Sequence, residues 1–120
     1  MVFDKRDIVF VEKFDYPNGQ PGLKHYFVII DANDDELEVI PLEYLSMIIS
    51  SQAHKNNDAN ENYPYNEPIY PNSDNGLLKA GHVKTNEIII LKAENISRKI
   101  GTVTEEEYNT YLRLFLKSMK

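Results

Sequence analysis

Short apolar runs broken by clusters of turn formers make up most of this chain, and a single helical stripe occupies its end. Asp7 to Phe14 alternates in polarity and is rich in β-branched and aromatic residues, which predicts a first strand. Asp15-Tyr16-Pro17-Asn18-Gly19-Gln20-Pro21-Gly22 is dense in turn formers and predicts a loop or wide hairpin connection. Lys24 to Asp31 then runs through Tyr26, Phe27, Val28, Ile29 and Ile30 without a polar break, which suits a central strand buried on both faces. Ala32-Asn33-Asp34-Asp35 predicts the next turn, because Asn and Asp tolerate left-handed backbone and bond their own main chain. Leu37 to Leu42 is the expected returning strand. Glu43 to Gln52 places Leu45, Ile48 and Ile49 at helical spacing, which allows a short helix there.

From Gln52 to Gly76 the character changes to Asn, Asp, Pro and Tyr, with Pro64, Pro68 and Pro71 interrupting any regular pattern. So long a connection without structure of its own is unusual in a compact domain. It reads either as a solvated loop or as a surface on which Tyr63, Tyr65 and Tyr70 stack or hold a partner. Leu77 to Thr85 and Glu87 to Leu91 predict two further strands, followed by a short extended piece ending at Ile100-Gly101. The last element is a helix, expected over Thr104 to Lys117. Thr104 and Glu107 have capping-box spacing, so each side chain can satisfy a backbone amide at the helix start. Tyr108, Tyr111, Leu112, Phe115, Leu116 and Met119 form one apolar stripe. Acids at the start, with Arg113, Lys117 and Lys120 towards the end, complement the helix dipole. Strands first and a helix last predict a mainly β fold, a small bent sheet or barrel closed by a C-terminal helix.

At 120 residues the chain can bury one core and not two, so a single domain is expected, with 52–76 as a polar insertion. No apolar run approaches the roughly 18 residues of a membrane span, and the N-terminus lacks a secretory h-region. A cytoplasmic protein with no membrane partner is the expectation. The absence of cysteine excludes a disulfide scaffold and a thiolate metal site. His25, His54 and His82 are too scattered for a metal constellation, and the glycines form no phosphate-binding spacing. Neither metal nor cofactor is therefore expected. The net charge of −6 disfavours broad contact with nucleic acid, so any RNA chemistry needs a local basic patch.

The phrase Arg98-Lys99-Ile100-Gly101-Thr102-Val103-Thr104-Glu105-Glu106-Glu107, with the strand before it and the helix after, resembles the C-terminal signature of the MazF/PemK (Kid-like) toxin family. Lys5-Arg6-Asp7-Ile8-Val9-Phe10-Val11 is similar to that family's opening R-G-D-I strand, with Arg6 where glycine is usual. Gly22 to Ile30 is similar to its G-x-x-R-P-x-x-V-x strand, with His25 at the arginine and Tyr26 at the proline. Val39-Ile40-Pro41-Leu42-Glu43 is similar to V-x-P-[IL]-T-S, with Glu43 at the threonine. The resemblance implies an SH3-like β-barrel with a terminal helix, and strand and loop rather than helix after Glu43. It also implies a homodimer, an antitoxin partner and endoribonuclease action on single-stranded RNA.

The family's usual catalytic pair is that arginine and that threonine, and neither identity is present here. Histidine and glutamate are competent acid–base residues, and RNA cleavage by internal attack needs a base, an acid and a cation for the phosphate. On the strand–turn–strand reading, His25 and Glu43 fall on neighbouring strands and face one groove as the catalytic pair. Lys24, Lys79 and Arg98 are then candidates for the phosphate, and the resemblance puts His82 near the RNA groove and the dimer surface. The plainer reading makes His25 a strand-end histidine, Glu43 a solvated helix-start or turn residue and His82 an exposed strand histidine. A second function class also stands: a non-catalytic SH3-like barrel that binds a protein or peptide partner through its tyrosine-rich loop.

Overall fold

The computed structural model describes residues 2–33, 43–51 and 63–120. Among the described residues seven strands, a short 3-10 turn (Ala93–Asn95) before β7, and one α-helix follow in order: β1 (Asp7–Asp15), β2 (Pro21–Asn33), β3 (Glu43–Ser51), β4 (Asn66–Ile69), β5 (Gly81–Lys84), β6 (Ile89–Lys92), β7 (Ile96–Thr102) and α1 (Glu105–Ser118). All pairings are antiparallel, in the order β4-β5-β3-β2-β1-β7, with β6 branching from β3. The β1–β2 hairpin closes where Asn18 and Gly19 predict it. Gly19 takes φ 85°, Asn18 Oδ1 accepts from the Gln20 amide, and the Tyr16 amide donates to the Gln20 carbonyl. Left-handed backbone costs glycine little, which is why the chain turns there.

β3 overturns the short helix expected from Glu43. Its neighbours hold it from both sides: β2 along one edge, and β6 (at Glu43 to Ser46) and β5 (at Ile49 to Ser51) along the other. A strand enclosed in this way is apolar on both faces, and its unbroken run mimics helical spacing. The expected returning strand, Leu37 to Leu42, lies outside the described residues. So do residues 52–62 of the expected loop, while the rest of it, from Tyr63 on, carries regular structure. Asn66–Ile69 is β4, paired with β5, and Asn75 is fully buried. Asn75 Oδ1 accepts from the Asn72 and Leu77 amides while its Nδ2 donates to the Tyr70 carbonyl. Gly76 and Gly101 let this turn press against β7, since a Cβ on Gly76 would come 2.0 Å from the Ile100 oxygen and one on Gly101 2.2 Å from the Asn75 carbonyl carbon.

The sheet carries apolar clusters on both faces. One gathers Val9, Val11, Phe14, Phe27, Ile29, Tyr44 and Ile48, with Ile89 and Leu91 of β6 folded over them. The other gathers Ile8, Val28, Met47, Val83 and Val103 under α1, which seats Tyr111 fully and Tyr108, Leu112 and Phe115 partly. Leu116 and Met119, expected in the same stripe, are 62% and 69% exposed, so the helix leaves the sheet before its last turn. The capping box at Thr104 and Glu107 forms as expected. Among the described residues the ladders do not close on themselves, so what they form is an open antiparallel sheet with one helix rather than a completed barrel.

Two tyrosines of α1, Tyr111 buried and Tyr108 half-buried, differ in how their hydroxyls are satisfied. The Tyr108 hydroxyl donates to the Ile30 carbonyl at 2.6 Å, whereas the Tyr111 hydroxyl has no hydrogen-bond partner among the described residues. Burial, with the carboxylates of Glu107 and Glu67 nearby, pushes the Tyr111 phenol well above its ordinary range. An unsatisfied buried hydroxyl costs about 1–3 kcal/mol. Tyr111→Phe is therefore expected to raise stability, read as a higher denaturant midpoint with an unchanged slope. A loss of stability would show that the hydroxyl is bonded in solution.

Candidate functional site

A cleft of about 300 Å³ opens at the end of the β2–β3–β5 ladder and is lined by Lys24, His25, Tyr26, Ile49, Ser50, Ser51 and the segment Leu77 to Gly81. The sheet builds it by register. Tyr26 pairs with Ile49 and Ile49 with Val83, so the residues just beyond, His25, Ser50 and Gly81, converge on one end of the sheet. Gly81 is required there: a Cβ would come 2.3 Å from the Ser50 carbonyl oxygen. Three of the residues anticipated from sequence, Lys24, His25 and Lys79, thus share one site. Leu78, 88% exposed, stands at its rim.

Lys24 takes φ 30°, in the left-handed region, although it lies inside a strand. Such backbone costs on the order of 1–3 kcal/mol in a non-glycine residue and persists where surrounding structure enforces it. The His25 ring is partly buried, edge-on to Phe14 at 5.7 Å between centroids. Its Nδ1 lies 2.6 Å from the Leu23 carbonyl. A carbonyl oxygen can only accept, so this contact assigns the proton of the neutral ring to Nδ1 and leaves Nε2 as the basic nitrogen.

Glu43 is elsewhere. It opens β3 opposite Asn33, while His25 lies at the other end of β2, so the two are separated by roughly 20–25 Å of strand at about 3.3 Å per residue. The expected proximity supposed a return strand starting just after Asp35. The observed register instead sets Glu43 opposite Asn33 and Ile49 opposite Tyr26. Glu43 lines a different cleft, of about 500 Å³, with Lys13, Tyr16, Lys92 and Asn95. His82 is 1% exposed, held in β5 between Ser50 of β3 and Pro68 of β4, so it is a buried residue behind the cleft rather than an exposed strand histidine.

Arg98 is exposed on β7, its guanidinium carbon 4.8 Å from the Phe10 ring centroid. Phe10 in turn meets Tyr26, a cleft residue, at 5.4 Å. Reading the sequence did not mark Phe10, Tyr26 or Ser50 as site residues. Phe10 and Tyr26 looked like strand filler, and only cross-strand register reveals that they adjoin. Arg6, standing where the resembled motif has glycine, takes φ 80° and donates from Nε to the Val103 carbonyl. The backbone there has the shape glycine favours. No set of three or more potential metal ligands occurs among the described residues, and no helix there is long and apolar enough to cross a membrane.

No family model and no curated protein matches this sequence. Solved structures do. The chain is similar to the Mycobacterium tuberculosis toxin MazF-mt6, with a TM-score of 0.64 over 95% of this chain and 96% of that one, at 11% identity. The fold is MazF-like. At that identity the likeness concerns the path of the backbone alone.

Proposed function

We propose that this chain is a MazF-like toxin of a toxin–antitoxin pair, a cytoplasmic endoribonuclease that cleaves single-stranded RNA at the cleft holding His25. The observation that supports the reading is the meeting of Lys24, His25 and Lys79 in one cleft, on a fold similar to that of a solved toxin. In this reading a ribose 2′-hydroxyl attacks its own 3′-phosphate, forming a 2′,3′-cyclic phosphate and expelling the 5′-oxygen of the next nucleotide. Nε2 of His25 takes the hydroxyl proton. The ammonium groups of Lys24 and Lys79 offset the charge that builds on the phosphate oxygens, and water in the open cleft protonates the departing oxygen. Glu43 has no part in it. A homodimer, an antitoxin partner and a fully closed SH3-like barrel belong to the same reading.

One observation favours the other function class. Among the described residues, the lining of the cleft holds one imidazole and no carboxylate, where the reaction is best served by two acid–base groups. A non-catalytic module that binds a protein or peptide would need none. Incubating the purified protein with a mixed RNA pool separates the two. Discrete fragments ending in 2′,3′-cyclic phosphate are the expected result. An intact pool, under conditions where a family nuclease cuts, would leave the binding module standing.

A further inference from the structure

We propose that Arg98, Phe10 and Tyr26 form a base-stacking track that leads a single RNA strand across β7, β1 and β2 into the cleft. The inference rests on the nuclease reading and extends it to how the strand is held. Cross-strand register sets the three side by side: Arg98 pairs with Phe10 and Phe10 with Tyr26. Their side chains are in contact, the guanidinium 4.8 Å from the Phe10 centroid and the two rings 5.4 Å apart, inclined at 52°. Directly opposed residues in a sheet share a face. The preceding row on that face, Gly101, Ile8, Val28 and Met47, includes three side chains of the cluster that packs under α1. The aromatic row lies at the margin of that cover. Phe10 and Tyr26 are half-buried and Arg98 is exposed, so the row is held firmly from below and open above.

The chemistry fits one kind of occupant. Arginine planes and aromatic faces stack bases of any sequence, and here they lie between cations: Arg98 at one end, Lys24 and Lys79 at the other. In a chain of net charge −6 this is a local departure that suits a phosphate backbone. Paired bases are stacked on one another and cannot lie on the row, so the occupant is a single strand. Glu12, two residues beyond Phe10 on β1, is the nearest acid in sequence on that strand's exposed positions, and its charge opposes the strand.

The test uses the intact protein and three fluorescein-labelled probes: a short deoxyoligonucleotide, which lacks the 2′-hydroxyl and cannot be cut, its duplex, and an abasic strand of equal length. The parent is expected to bind the base-bearing strand well above the other two. Tyr26→Leu, which keeps apolar volume over the core, should weaken that binding by about 5- to 100-fold, the range for loss of one stacked base. Its affinity for the abasic strand should not change. Arg98→Lys, which keeps the charge and loses the plane, should give a smaller loss of the same kind. Equal parental affinity for base-bearing and abasic strands would overturn the track, as would a Tyr26→Leu variant that binds like the parent. RNA cleavage without base-dependent binding removes the track alone, and base-dependent binding without cleavage removes the nuclease alone.

Discussion

If the cleft is the proposed nuclease site, His25→Ala is expected to lower RNA cleavage by about 10²–10⁴-fold, the range for a general acid–base group. The expectation follows from what surrounds the site. Of the side chains lining the cleft, His25 carries the one imidazole, a group suited to general acid–base work. The Leu23 carbonyl holds its tautomer and its neighbour Lys24 is fixed in left-handed backbone, so the imidazole is presented in one orientation. Removing the ring also removes an edge contact with Phe14, for which about 0.5–1.5 kcal/mol is typical. The variant must therefore be shown to keep its circular dichroism and its melting cooperativity. Glu43→Gln serves as the control and should cut like the parent, since Glu43 faces a separate cleft. If His25→Ala retains full activity in a folded protein, the proton is moved elsewhere, and His82, on the neighbouring β5 row, is the next residue to change.

Phe27→Ala should cost about 3–5 kcal/mol, the usual figure for emptying a buried phenylalanine site. Phe27 is fully buried in the middle of β2, between Val9 of β1 and Ile48 of β3, and meets Phe14 edge-on at 4.9 Å. The lost ring leaves a hole bordered by strands hydrogen-bonded on both sides, which cannot collapse without breaking ladders. Against a typical total of roughly 5–15 kcal/mol for a domain, the variant should be marginal at body temperature. Urea unfolding measures it directly. A loss below about 1 kcal/mol would mean that this face of the sheet is not the packed core described above.

What could be read in the sequence was what short-range chemistry decides. The β1–β2 turn follows from Asn18 and Gly19, and the start of α1 from Thr104 and Glu107, because in each case the partners lie within three residues of one another. β3 misled because enclosure on both edges erases alternation. β4 was hidden because four residues including Pro68 carry little pattern, and its partner strand lies beyond the Asn75 turn. The site divided in the same way. Lys24, His25 and Lys79 were identifiable as residue types suited to phosphate chemistry, and the fold brings them together. Their supposed companion Glu43 was misplaced because antiparallel pairing turns a small error in register into a displacement along the whole ladder. Arg98, Phe10 and Tyr26 are far apart in sequence, and only the register makes them neighbours.

The position of β1 in the sheet has a consequence for how the chain is made. One of its edges is satisfied by β2, the next strand to be synthesised, but the other waits for β7, near the end. Arg6 shows the same division: its amide donates to Ile29, while its carbonyl waits for the amide of Val103. Until residues 96–103 leave the ribosome, the nascent hairpin presents the bare edge of an apolar strand, Ile8 to Val11, to the cell. Unpaired edges of this kind recruit other chains. A message cut or stalled between the codons for Lys92 and Ile96 would thus release a protein with its sheet nearly built and its most adhesive strand open, a product for proteases and chaperones.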